Sequence, residues 1–190
     1  MRWTIVVTIL SCTLGRRAQG QQEPLAQMTV VRLRNGSNAV DLDGNHRADL
    51  VVVGWRENYN AHGYDLFTFY VQDSTVRERA LNLIVFTDSV GLQTEDAFRT
   101  DNGADCVVSD LRVLRPRAGP DLVVIGKRDF GESYGDSLPV TFTVYRLTVS
   151  AGDVGVPPFQ FKAERTLRSR ARYCDVNNAF RAELGLGAYR

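Results

Sequence analysis

Three groups of side chains in this 190-residue chain have types and spacings that chemistry can use. The first is Asp41-Leu42-Asp43-Gly44-Asn45-His46-Arg47-Ala48-Asp49, which leads directly into an apolar run. Oxygen-bearing side chains occupy positions 1, 3, 5 and 9 of that stretch, and the Arg47 carbonyl stands at position 7. Calcium is a hard ion that takes about six to eight oxygens, and a tight loop with acids on alternate residues turns them toward one point. Asp41, Asp43, Asn45, Arg47 through its carbonyl, and Asp49 are therefore the candidate calcium ligands. Position 6 of such a loop favours glycine because the backbone there takes a positive φ, and here it is His46. An Asx-rich turn accounts for the same residues, with aspartates bonding their own backbone amides and no metal. The stretch from Asp110 to Asp121 has leucine, arginine and proline where ligands would stand, so at most one copy of the pattern binds an ion.

The second group is a pair of related loops. Trp55 to Tyr64 carries Arg56, Glu57, Asn60, His62 and Tyr64, and Lys127 to Tyr134 carries Arg128, Asp129 and Tyr134. An arginine fork beside an acid, amides and aromatic rings is the inventory of a small anion-binding site. Arg56, Asn60, His62, Tyr64, Arg128 and Tyr134 are its candidate residues. The competing reading is architectural: Arg56-Glu57 and Arg128-Asp129 as ion pairs, each fastening a hairpin. The third group is Cys106 and Cys174. An even pair in an exported chain reads as one disulfide, worth about 4 kcal/mol by the chain-entropy argument, against the alternative of two buried thiols. An enzyme is not expected. No serine has a lysine three residues on, the chain is read as lacking a Gly-x-Ser-x-Gly elbow, and two histidines without a His-x-His do not build a hydrolytic zinc site.

These groups need a scaffold, and an internal repeat supplies it. Asp49-Leu-Val-Val-Val-Gly54 returns as Asp121-Leu-Val-Val-Ile-Gly126. Each copy continues into an arginine and an acid, a polar loop with a tyrosine, and a strand-like run, Phe67 to Val71 or Phe142 to Leu147. Val, Phe, Tyr and Thr dominate these runs, with period-two alternation and Gly, Asp, Asn or Pro at their ends. Further strands are expected at Met28 to Arg34, Leu81 to Thr87, Cys106 to Leu114 and Phe159 to Leu167. One short helix is expected near the end. Asp175 caps it, Val176, Ala179, Phe180 and Leu184 share its face, and Gly185 stops it.

The predicted fold is all-β: two duplicated antiparallel units packed about a pseudo-twofold, with a short C-terminal helix. Residues 21–100 form the first repeat and 101–190 the second. Two such units cannot close a propeller, so their inner faces bury each other or a second chain, which makes a homodimer a candidate state. Leu50, Val52, Leu122 and Val124 are expected to face one shared core.

Composition narrows the function classes. A net charge of +1 leaves no basic excess for nucleic acid. Residues 1–20 read as a signal peptide, with Arg2, an apolar run from Thr4 to Leu14, and Ala18-Gln19-Gly20 before the cut. No stretch is long enough to span a bilayer as a helix. The protein is expected in the periplasm or secreted.

Four motifs carry a family resemblance. Gly103-Ala-Asp-Cys106, Arg128-Asp-Phe-Gly-Glu-Ser-Tyr134, Pro139-Val-Thr-Phe142 and Tyr173-Cys-Asp-Val-Asn-Asn-Ala-Phe180 together resemble the periplasmic carbapenem intrinsic-resistance proteins. Those are self-immunity proteins of carbapenem producers, with relatives in bacteria that make none. The resemblance implies export, no β-lactamase chemistry, and antibiotic resistance by binding or sequestering a small anionic molecule such as a carbapenem. The 41–49 loop separately resembles the calcium loop of integrin-like β-propeller blades. That likeness implies a calcium-stabilised extracellular interaction module without any antibiotic role.

Overall fold

The computed structural model describes residues 23–72, 81–87, 94–150, 152 and 154–189; the signal peptide expected at residues 1–20 lies outside them. After a 3₁₀ turn at Leu25–Gln27 come β1 (Thr29–Val30), β2 (Gly36–Val40), β3 (Asp49–Arg56), β4 (Tyr64–Gln72) and β5 (Leu81–Thr87). Three two-residue strands follow, β6 (Thr94–Glu95), β7 (Phe98–Arg99) and β8 (Asp101–Asn102). The second half is β9 (Val107–Arg115), β10 (Leu122–Arg128), β11 (Leu138–Val149), β12 (Phe159–Tyr173) and helix α1 (Val176–Leu184). Among the described residues the protein is all-β apart from α1 and that 3₁₀ turn.

Each half is an antiparallel meander of four strands, β2 to β5 and β9 to β12. The repeated hexapeptide falls on the second strand of each. The halves are not two separate sheets, as the repeat suggested. β5 and β12 run side by side in parallel, Val85 against Gln160 and Phe86 against Phe161, and fuse the meanders into one curled sheet. This is the exception to the expected antiparallel pairing. The polar stretch between β5 and β9 holds β6, β7 and β8, which pair with β5, β4 and β9. The expected strand from Met28 shrinks to β1, on the edge of β9.

One face of the curled sheet encloses a core shared by both halves. Val51, Val53, Phe67, Phe69 and Ile84 of the first half meet Leu111, Val113, Val123 and Phe161 of the second. The inner faces thus bury each other within one chain. The expected facing of the repeat is reversed. Val51, Val53 and Val123 enter the shared core, whereas Leu50 and Val52 lie half-buried on the opposite face, and Leu122 and Val124 belong to a second cluster. The run Leu-Val-Val-Val has no polar alternation to mark its inner side, and in a strand a parity error turns every side chain over. That second cluster forms where Val176, Ala179 and Phe180 of α1 lie on Leu122, Val124, Val140 and Phe142.

Helix α1 starts and stops where its caps require. The Asp175 side chain accepts a hydrogen bond from the Asn177 amide at 2.7 Å. Gly185 turns left-handed at φ 68°, and the Leu186 amide bonds back to the Phe180 carbonyl at 3.0 Å. The disulfide links Cys106, just before β9, to Cys174, just before α1, with Cα atoms 5.6 Å apart. It ties the base of the helix to the strand it covers.

Candidate functional site

The polar loop after β3 folds back so that Tyr64 begins β4 and His62 stands against the second half. The His62 and Tyr134 ring centres are 4.8 Å apart, and His62 Nδ1 lies 3.0 Å from the Asn102 carbonyl. Tyr134 packs on Gly103, where a β-carbon would come within 2.5 Å of its ring. Its hydroxyl donates to Asp101 at 2.9 Å. Burial, and then this bond to a carboxylate, raise the phenol's pKa. Asp136 fixes the loop that carries Tyr134. It accepts bonds from the Glu132 and Ser133 amides and the Ser133 hydroxyl, which hold its carboxyl below the usual range.

His62, Tyr64 and Tyr134, drawn from both halves, thus line one cleft of about 190 Å³ with Asn58, Arg99 and Asp101. Arg99 lies over the Tyr64 ring at 5.0 Å, and Arg56 also approaches that ring, at 5.8 Å, donating to the phenol oxygen at 3.2 Å. Two guanidinium groups therefore flank one aromatic ring. Asn60 does not line the cleft; its side chain accepts from the His62 amide and shapes the turn. Arg128 does not join them either. It is buried, and its guanidinium donates to the carbonyls of Cys174, Asp129, Phe130 and Tyr134 at 2.8–3.0 Å. The repeated arginines form no Arg-acid ion pair with the neighbouring Glu57 or Asp129 among the described residues.

The residues from Arg99 to Asn102 went unrecognised in the sequence. Their strands are two residues long, too short for any periodicity. Gly131-Glu132-Ser133-Tyr134-Gly135 does spell Gly-x-Ser-x-Gly, which corrects the expectation that the chain lacks it. It lies in the loop between β10 and β11, not on a strand-to-helix turn, and the Ser133 hydroxyl bonds directly to Asp136 with no imidazole between them. A nucleophile elbow needs the opposite on both counts.

In the 41–49 loop, one carboxylate oxygen from each of Asp41, Asp43 and Asp49 falls within 4.8 Å of the other two. His46 takes the left-handed conformation, φ 64°, that the sixth position demands. Asp49 is buried at the start of β3 and accepts from the Leu42 and Gln72 amides at 2.9 and 3.0 Å. Burial raises its pKa, those amides oppose the rise, and the neighbouring charge of Asp43 adds to it. Asp41 accepts from the Gly44 and His46 amides, and Asp43 from Asn45, as in an Asx turn. The three carboxylates could hold a metal ion. Asn45 fits less well, because its carbonyl oxygen accepts from the Arg47 amide and its amide nitrogen faces Asp43.

Comparison with known proteins agrees with the fold. The crystal structure of CarG superposes with a TM-score of 0.68 at 23% identity, covering 81% of this chain and 94% of CarG. Curated proteins yield no match. No helix among the described residues is long and apolar enough to cross a membrane. The family described as "Carbapenem resistance protein CarG-like" matches residues 33–182, most of the chain and all of the core strands from β2 to β12, and the protein belongs to that family.

Proposed function

We propose that this protein is exported and protects by sequestering a small carbapenem-class anion, without breaking it. The observation that carries the reading is the cleft between the halves. There Arg99 lies over Tyr64, and His62 and Tyr134 complete a polar, aromatic wall, while Arg56, which does not line the cleft, reaches the same phenol. Guanidinium groups recognise carboxylates through paired N–H donors, and aromatic faces hold the apolar part of a small ligand. Family membership supplies the link to carbapenems. The leader at residues 1–20 and the Cys106–Cys174 bridge fit an oxidising compartment outside the cytoplasm.

Titrating the mature protein with a carbapenem by calorimetry, while following lactam absorbance, tests this. Saturable binding with the lactam intact supports sequestration. Arg99→Ala should weaken that binding at least tenfold. Turnover of the lactam, abolished by Ser133→Ala, would make the protein an enzyme and overturn the reading. So would the absence of both binding and protection in a sensitive host expressing the full chain.

The convergence of Asp41, Asp43 and Asp49 favours a second reading, a structural calcium that stabilises the 41–49 loop. Three carboxylates this close repel unless a cation neutralises them. Calcium at a hundred times Kd would add about 2.7 kcal/mol. Melting curves in EDTA and in millimolar calcium decide it. Coincident curves leave the loop as a turn; a calcium-dependent rise that Asp43→Ala removes makes it a site.

A further inference from the structure

A cavity of about 230 Å³ lies between β5, β6 and β7 on one side and β10 and β11 on the other, where the shared core meets solvent. Its body is apolar. Phe86 and Phe98 line it from the buried core, and Ile125 and Tyr145, half-buried against that core, line it from the second half. Phe86 and Tyr145 meet edge to face with ring centres 5.3 Å apart, an arrangement that aromatic pairs favour. An apolar cavity of about 150 Å³ already takes up benzene, so this one has room for a single ring. It shares no lining residue with the cleft.

The charged part of the lining is one residue of each sign. Glu95 on β6 and Lys127 on β10 are both exposed, and they reach the cavity from different halves. They form no ion pair with each other or with any other described residue. The charge of Glu95 is felt at the cavity wall. Burial, and then Glu95, raise the pKa of the Tyr145 phenol, while a hydrogen bond with Thr143 opposes the rise. A simple carboxylate entering here is drawn to Lys127 and repelled by Glu95, and a simple amine meets the reverse. A molecule that carries both charges on one carbon satisfies both residues. Its apolar side chain then leaves water for the core-lining rings, which is favourable in proportion to the area covered.

We infer that this cavity binds an aromatic α-amino acid as its zwitterion, with the ring among Phe86, Phe98, Ile125 and Tyr145, the carboxylate toward Lys127 and the ammonium toward Glu95. The site stands apart from the anion cleft and does not depend on the carbapenem reading. The body of the cavity selects the ring, and the two charges select the head group. Glu95 is anchored beside the aromatic wall, since it pairs in register with Phe86. Lys127 is held by its neighbours on both sides, Ser109 of β9 and Thr141 of β11. A lysine suits the second role because its ammonium is a compact charge on a flexible stem, able to follow a carboxylate.

Ile125 is a local probe. The chain has four isoleucines, Ile5, Ile9, Ile84 and Ile125, and the methyl signal of Ile125 is assigned by its loss in Ile125→Val. The protein is titrated with L-phenylalanine, hydrocinnamate, phenethylammonium chloride and glycine at matched ionic strength, by calorimetry and by methyl NMR. The expected result is saturable binding of L-phenylalanine that shifts the Ile125 methyl signal, with at least tenfold weaker binding of the other three. Lys127→Gln and Glu95→Gln should each weaken L-phenylalanine binding at least tenfold. Both residues are exposed, so neither change empties the core. Lys162→Gln alters the other lysine of the chain, which does not line the cavity, and should leave binding unchanged. The proposal is overturned by no saturable binding of L-phenylalanine, or by binding that leaves the Ile125 methyl unmoved. It is equally overturned by an affinity for hydrocinnamate, phenethylammonium or glycine equal to that for L-phenylalanine, or by parental affinity in Lys127→Gln or Glu95→Gln.

Discussion

The outer faces of β3 and β10 start from nearly the same six residues and end in different surroundings. On β10, Leu122, Val124 and Gly126 lie beneath α1, and Phe180 sits over Gly126, where a β-carbon would come within 2.8 Å of its ring. On β3, Leu50 and Val52 are half-buried, and a β-carbon on Gly54 would meet nothing within 4 Å. The arginine two residues beyond each glycine follows the same division. Arg128 is buried against four carbonyls, while Arg56 stays exposed beside Tyr64. A repeated sequence therefore does not carry repeated roles. The second stretch lies covered beneath α1, and the first keeps its outer face partly open.

The largest effect that tests this contrast comes from the helix. Phe180→Ala should cost about 3–5 kcal/mol, because it empties a fully buried site between Phe142 and Arg112. Denaturant unfolding reads it directly, and a cost below about 1 kcal/mol would mean that α1 does not hold the second half together. Next come the two arginines. Arg128→Ala strands buried carbonyls and should cost about 3 kcal/mol, whereas Arg56→Ala should fall within about 0.5 kcal/mol. Equal costs would break the comparison.

The glycines sharpen it further. Gly126→Ala forces Phe180 or the strand to shift and should cost about 1–3 kcal/mol. Gly54→Ala should change stability by no more than about 0.5 kcal/mol. The smallest effect is a pH dependence. Glu183 of α1 accepts from the Arg170 and Ala171 amides and the Tyr173 hydroxyl, and these bonds, led by the Ala171 amide, hold its pKa at about 2 instead of 4.5. A carboxyl whose pKa is lowered by folding stabilises the protein above its ordinary value and loses that contribution as pH falls from 4.5 toward 2. Glu183→Gln should therefore flatten the acid limb of melting temperature against pH in that window. A limb as steep as the parent's would remove Glu183 as its source.

Some of this was legible in local chemistry. The helix needed only Asp175, Gly185 and apolar residues at helical spacing, because caps and periodicity act within a few residues of chain. The disulfide followed from Cys106 and Cys174, the pair left once Cys12 is set aside with the expected leader, and the strands of both meanders from β-branched and aromatic runs. The tyrosine-histidine cleft was half legible. His62, Tyr64 and Tyr134 were recognisable as polar and aromatic loop residues, but Arg99 and Asn102 sit on strands too short to leave a pattern.

By itself, then, the sequence determined the element types, the repeat, the helix caps and the cysteine pair, since each depends on near neighbours or on composition. Only the tertiary structure decided which face of Leu-Val-Val-Val turns inward, because a uniformly apolar run is compatible with either parity until a helix or a second meander covers one side. It alone decided that β5 and β12 join in parallel, that Arg128 is structural while Arg56 is not, and that Asp65 and Arg112, 47 positions apart in the chain, line one cavity. Those outcomes rest on contacts between distant residues, and distance along the chain carries no trace of them.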